Sequence, residues 1–234
     1  LPELPGLDLE VAGEEVAVAE PEQSIFSFPK GARAGTFLHA VFENLDFPTA
    51  GGAELTEYLQ ERLTLEGYDT EWTPVLETLV ADVLDSDLGV DGTRLRDLSA
   101  DNKLVEMEFM LPINGLDCGA LNQLIRGQDP LSAQAGFLNF DQVTGMLKGF
   151  IDLVFRHNGR YYVLDYKSNF LGDSHDAYTQ QAMAEAMIDH RYDLQYQLYT
   201  LALHRLLQSR IPDYHYEQHM GGVFYLFLRG MGQG

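Results

Sequence analysis

The chain has 234 residues, 45% hydrophobic and 22% charged, a composition that supports one large globular domain or two small ones with a real core. No uncharged apolar run approaches the roughly 18 residues a membrane span needs, no leader pattern is legible, and the single cysteine, Cys118, excludes an internal disulfide and fits a reducing cytoplasm. A net charge of −21 argues against a simple electrostatic nucleic-acid binder, but residues 1–110 hold 24 acids and 6 bases while residues 111–234 hold 12 and 9, so the acidity lies mostly away from the second half.

Residues 1–23 carry three prolines and seven acids without sustained periodicity and read as a linker or tether, or an acidic interaction arm, with the folded domain running over 24–234. The start at Leu1 rather than Met suggests a piece of a longer protein. From Gly35 the pattern is helical. Thr36 can cap a helix to about Asn44, with Phe37, Val41 and Leu45 on one stripe. Residues 54–65 and 74–84 give two more amphipathic helices, Pro74 suiting a first turn. Apolar and acidic residues alternate over 103–111, as in a strand. Residues 121–125 suggest a short helix, 142–155 and 161–167 two strands, 174–190 and 193–209 two helices, and 222–228 a final buried strand. The order implies one α/β domain with a mixed sheet.

The densest chemistry lies in KGFIDLVFRHNGRYYVLDYKS, residues 148–168. Asn158-Gly159 between two apolar runs predicts a two-residue hairpin, because a type I′ turn needs positive φ at both central positions. His157 then faces Arg160, and the same register sets Asp152 opposite Asp165. Opposed like charges are destabilising, and each sits within an apolar run where an unpaired charge is costly. A divalent cation held by both carboxylates resolves the conflict, since hard cations prefer oxygen. Alternation puts Lys167 on the face of Asp165, with Leu164 and Tyr166 turned into packing. Two carboxylates and an ammonium suit phosphodiester hydrolysis: metal to polarise phosphate and activate water, lysine to orient the nucleophile or stabilise developing charge. The plain alternative is a buried Asp-Lys-Asp ion cluster.

GxxD at 149–152, a short turn and an apolar strand ending Asp165-Tyr166-Lys167 resemble the PD-(D/E)xK nuclease superfamily, and more closely the C-terminal nuclease domain of RecB-type subunits of bacterial exonuclease V (RecBCD). GTFLH (35–39), VEMEF (105–109), AYTQQAM (177–183), HRYDLQYQLYTLALHR (190–205) and YLFLRG (225–230) extend the likeness over roughly 22–230. The resemblance implies a restriction-endonuclease-like α/β fold, a central mixed sheet flanked by helices. It implies Asp152 and Asp165 as metal ligands, Lys167 as the catalytic lysine, His39 and the Tyr166 carbonyl as further ligands, and Glu106 as an acid near the site. Gln195 and Tyr199 resemble the QxxxY motif of the same group. The expected cofactor is Mg²⁺, with Mn²⁺ substituting and Ca²⁺ binding without supporting activity. The expected partners are DNA, as single strands, RecC- and RecD-type subunits, and the RecA recombinase. No GxxxxGK[ST] phosphate loop marks an ATPase motor. The family pattern leads one to expect a further helix after the last strand.

Read without the resemblance, His39 is a helix-face or core histidine, and imidazole suits Mn²⁺ better than Mg²⁺. Glu106 and Glu108 share one face of their strand, so only the resemblance singles out Glu106. Gln195 and Tyr199, four apart on a helix, are either a half-buried packing pair or a DNA-contacting or site-supporting pair. Lys148, Arg156 and Arg160 either line a strand-binding channel or keep the hairpin soluble. Phe150, Tyr161 and Tyr162 read as packing rather than base-stacking residues. The remaining histidines show no zinc spacing, and no G-x-S-x-G elbow is present. Three functions follow: an active nuclease domain of a helicase–nuclease, a module of the same fold that docks a recombinase or sister subunits, and a nuclease of another pathway.

Overall fold

A computed structural model describes residues 23–232. The acidic stretch read as a tether therefore lies, apart from Gln23, outside the described residues. Helices α1 (Ala32–Glu43), α2 (Gly52–Leu65) and α3 (Thr73–Asp85) come first, then strand β1 (Lys103–Leu116) and helices α4 (Cys118–Gln128) and α5 (Pro130–Gln134). The hairpin β2 (Val143–His157) and β3 (Arg160–Lys167) follows, then α6 (Gln180–Asp189), α7 (Tyr192–Arg210), α8 (Tyr216–His219) and β4 (Met220–Phe227). The sheet order is β1-β2-β3-β4. The first two pairings are antiparallel, while β4 runs parallel to β3 after the crossover through α6 and α7.

The sheet carries helices on both faces. Leu153, Phe155, Leu164 and Tyr166 join Phe37, Leu38, Val41 and Phe42 of α1 and the apolar faces of α2 and α3 in the larger core. On the other face, Met107, Phe109, Leu111, Ile151 and Val163 pack on Tyr199, Ala202, Leu203 and Leu207 of α7. This is the expected mixed sheet flanked by helices. Ile151 and Leu153, two apart on β2, belong to opposite cores, and so do Val105 and Met107 on β1. Strict alternation would keep each pair on one face. Both strands therefore reverse their facing at Asp152 and Glu106.

Local corrections have local causes. Helix α1 begins at Ala32 behind Gly31 at φ 96°, and the Thr36 hydroxyl donates to the Ala32 carbonyl inside the helix rather than capping it. Residues 174–190 are not one helix: a 3-10 turn at His175–Ala177 precedes α6, whose Thr179 side chain accepts the Ala182 N–H. Strand β1 runs on through Pro112, which an edge strand tolerates. The short helices α5 and α8 carry too few turns to show periodicity in sequence.

Candidate active site at the parting of two strands

The hairpin turn forms as the sequence requires, with Asn158 at φ 47° and Gly159 at φ 78°. The ladder runs from His157↔Arg160 to Leu153↔Leu164 in the predicted register and stops one position short of Asp152 and Asp165. Beyond that point a side chain takes over from the backbone: the Tyr166 N–H donates to Asp152 Oδ2 at 2.8 Å. On the other edge of β2, Glu106 stands level with Asp152 in the register of its neighbours Val105↔Leu153 and Met107↔Ile151, but is itself unpaired, at φ 51°. Left-handed backbone at a non-glycine residue costs energy and gathers at functional sites. Glu106, Asp152 and Asp165 thus mark corresponding positions on three neighbouring strands.

Each side of the opening adds a helix. Gly35 lets α1 approach the end of β3, since a side chain there would meet the Ser168 hydroxyl at 2.7 Å. One turn on, His39 Nδ1 lies 3.3 Å from Asp152 Oδ2. Burial opposes charging that imidazole, but the hydrogen bond and charge of Asp152, with Asp165 behind it, outweigh this and raise its pKa. His39, Glu43 and Glu106 line a cleft of about 350 Å³. Burial, then Asp152 and Glu43, raise the Glu106 carboxyl as well.

On the α7 side, Lys167 Nζ lies 2.5 Å from Asp165 Oδ2 and donates to Gln195 Oε1 at 2.8 Å. The same oxygen accepts the Tyr225 hydroxyl at 2.9 Å, and Gln195 Nε2 donates to the Tyr199 hydroxyl at 2.8 Å. The ammonium also lies 3.8 Å from the centroid of the Tyr192 ring and 5.0 Å from that of Tyr225, within cation–π range. The Gly149 of GxxD sits against the Phe109 ring, which meets Tyr199 edge-on at 5.7 Å.

Asp165 is only 2% exposed. Burial and the neighbouring Asp152 push its pKa up to about 6, against the lowering pull of Lys167 and His39. Its Oδ2 is shut off from solvent and held by the Lys167 ammonium. A buried carboxylate beside a second carboxylate fits a divalent cation. Among the described residues no three His, Cys, Asp or Glu side chains already converge as a ligand set. Here His39 is paired with Asp152 and Lys167 with Asp165, so a cation must compete with a proton and an ammonium.

All the sequence-predicted residues gather around this opening: Asp152, Asp165 and Lys167 at its centre, His39 and Glu106 on the cleft side, Tyr166 in the strand, Gln195 and Tyr199 behind the lysine. The sequence reading missed Glu43, although it shares a helix face with His39 four residues earlier. It also missed Tyr192 and Tyr225, whose aromatic runs look like ordinary packing. Glu108 is ion-paired with Lys148 at 3.1 Å on an exposed face. Tyr162 packs, stacked on Phe155 at 5.0 Å, but Phe150 is 43% exposed, on a face that no helix among the described residues covers.

The model of the PD-(D/E)XK nuclease superfamily matches residues 17–233. The chain is 57% identical over 229 residues to the RecBCD enzyme subunit RecB of Escherichia coli, covering 97% of this chain and 19% of that protein. It is 42% identical over 214 residues to the subunit of the same name from Haemophilus influenzae (91% and 17%), and 35% identical over 239 residues to that from Mycobacterium tuberculosis (91% and 22%). The chain spans about a fifth of the length of these curated relatives. A match over nearly the whole chain, on a mixed sheet whose diverging hairpin carries the Asp and Asp-x-Lys signature, places this chain in the PD-(D/E)XK nuclease superfamily.

Proposed function

We propose that this chain is the nuclease domain of a RecBCD-type helicase–nuclease and hydrolyses DNA phosphodiester bonds with Mg²⁺. The observation that carries the proposal is the pairing of Asp165 with Lys167 beside Asp152, where β2 and β3 part. Asp152, Asp165, His39 and the Tyr166 carbonyl would hold the cation, with Glu106 close enough to add a carboxylate. When bound, the cation polarises the phosphate and acidifies a water. The chain's own residues do the rest. Asp152 and Asp165 fix where the phosphate can sit. Lys167, released from Asp165 and kept oriented by Gln195 Oε1, presents its ammonium to the attacked phosphate and stabilises charge there. Tyr199 and Tyr225 fix the Gln195 amide from both ends.

Mn²⁺ should substitute for Mg²⁺, since His39 offers nitrogen, and Ca²⁺ should bind without supporting cleavage. The physiological substrate is DNA presented as single strands by attached helicase subunits of RecC and RecD type, in the bacterial cytoplasm, with RecA as a further partner. No helix among the described residues is long and apolar enough to cross a membrane, which agrees with that setting. A docking module alone is the less favoured reading, because docking gives no reason to bury Asp165 with Lys167 beside a second carboxylate.

The test is cleavage of end-labelled linear and circular single-stranded DNA at low salt, with Mg²⁺, Mn²⁺, Ca²⁺ or EDTA, by the wild type and Lys167→Ala. Metal-dependent cleavage lost in the variant supports the proposal; cleavage in EDTA, or equal cleavage by the variant, overturns it.

A further inference from the structure

The chain has four lysines among its 15 basic residues. Lys103 is engaged elsewhere, donating to the Leu45 carbonyl over the Phe47 ring. The other three stand at or beside the parting of β2 and β3. Lys167 is in the site. Lys148 lies on the β2 side, its Nζ 5.1 Å from the centroid of Phe150. Lys30, just ahead of α1, lies 3.2 Å from the centroid of Phe170, three residues beyond Lys167. Both rings are open to solvent, Phe150 at 43% and Phe170 at 38%. Phe150 is two residues from Asp152, about 7 Å along a strand. Around it, Glu108, Met110, Met146 and Lys148 are also exposed, so among the described residues this face of the sheet end is uncovered.

Such a concentration is unexpected in a chain of net charge −21. A chain this acidic repels a polyanion, so ammonium groups beside open rings matter where a strand must come close to the carboxylates. An aromatic ring with an ammonium beside it serves both parts of a nucleotide, since any base stacks on the ring and the phosphate meets the cation. Lys30 lies over the Phe170 ring, and the residue stays 38% exposed. Lys148 is held by Glu108 at 3.1 Å, a surface pair that a phosphate can displace.

We infer that Phe150 with Lys148, and Phe170 with Lys30, are two base-stacking platforms that grip a single strand on either side of the carboxylates, without regard to sequence. The inference rests on the nuclease reading for its ligand, and on the two Lys–Phe pairs for its place. It makes single-strand selectivity a property of this chain, because paired bases in a duplex cannot reach either ring.

The experiment measures binding rather than cleavage. Fluorescence anisotropy in Ca²⁺ at low salt compares a mixed-sequence single-stranded oligonucleotide, the same length with abasic sugars, and a duplex, for the wild type, Phe150→Ala, Phe170→Ala and Phe150→Trp. Expected are wild-type preference for the base-containing single strand over both other ligands, roughly ten-fold weaker binding of that strand by each alanine variant, loss of its preference over the abasic ligand, and restoration by Phe150→Trp. Alanine variants that bind all three ligands as the wild type does would overturn the inference, as would wild-type binding indifferent to the bases. Failure of cleavage with every metal, alongside intact base-dependent binding, would instead fall on the nuclease reading alone.

Discussion

The backbone N–H of Tyr166 donates to Asp152 Oδ2 at 2.8 Å, so this carboxylate finishes a β-ladder as well as belonging to the proposed cation site. Tyr166 is buried, and a buried N–H left without an acceptor costs about 1–3 kcal/mol. Asp152→Asn keeps an acceptor and loses the charge. In EDTA it should unfold at a denaturant concentration near that of the wild type, with metal binding and cleavage abolished. Asp152→Ala should be less stable than Asp152→Asn by about 1 kcal/mol or more. Equal stability of the two variants would show that the hydrogen bond has no structural weight.

The raised pKa of Asp165 gives a pH dependence with a definite sign. Its pKa is about 6 in the folded chain against an ordinary 3.8. Between these values the folded chain holds a proton that the unfolded chain has lost, so this group's contribution to stability falls as pH rises from about 4 to 6. The difference is worth at most about 3 kcal/mol. Unfolding in EDTA at pH 4.5 and pH 7 should show Asp165→Asn gaining stability relative to the wild type at the higher pH. Mg²⁺ should stabilise the wild type increasingly over the same window, because a cation displaces that proton. A wild type and a variant with parallel pH profiles would contradict the assignment.

Lys167 is held by Asp165, by Gln195 and by the rings of Tyr192 and Tyr225, and changes to the lysine and to its supports should cost differently. Lys167→Ala should lower kcat by roughly 10² to 10³. Gln195→Leu removes the amide oxygen that orients the ammonium and should lower kcat about ten-fold, with KM little changed. Tyr225→Phe loses only the hydroxyl to Gln195 and keeps a ring near the ammonium, so its effect should be smaller still. Steady-state kinetics on the three variants would check the order; a Gln195→Leu enzyme with unchanged kcat would remove Gln195 from the positioning of the lysine.

Gly149 owes its place in GxxD to packing rather than to a special backbone angle. A methyl group there would run into the Phe109 ring. Gly149→Ala should destabilise the fold by about 1–3 kcal/mol through overpacking, and Phe109→Leu in the same chain should recover part of the loss. Thermal unfolding of the two single variants and the double variant measures the coupling. Simple additivity would mean the ring moves aside freely.

The centre of the candidate site was legible in sequence because a two-residue Asn-Gly turn fixes the register of the pairings as far as Leu153↔Leu164, one rung short of the two aspartates. Counting outward from Asn158-Gly159 reached Asp152 and Asp165 with no further information. Glu106 was not separable from Glu108 by periodicity, since what distinguishes it is a left-handed φ and a missing rung. Tyr192 and Tyr225 come to Lys167 from a helix and a parallel strand that the crossover brings together, a non-local fact no local pattern carries. Phe150 looked like packing because alternation says which residues share a face, not whether a helix covers it. The families of helices and strands were readable where amphipathic runs were long, and failed for the short α5 and α8.

Arg229 is fully buried and binds the carbonyls of Ile25, Phe28, Pro29 and Ser168. It ties the segment that leads into α1, about 200 positions before it in sequence, to the residue that follows Lys167. Contacts this distant form late in folding, after the loop between them has closed. Translation releases the chain from its first residue onward, so a ribosome-bound intermediate that already displays His39, Asp152, Asp165 and Lys167 still lacks Tyr225 and the arginine that ties the two ends of the fold together. The contacts that Tyr225 and Arg229 make around the candidate site can therefore form only after nearly all of the described residues have been made.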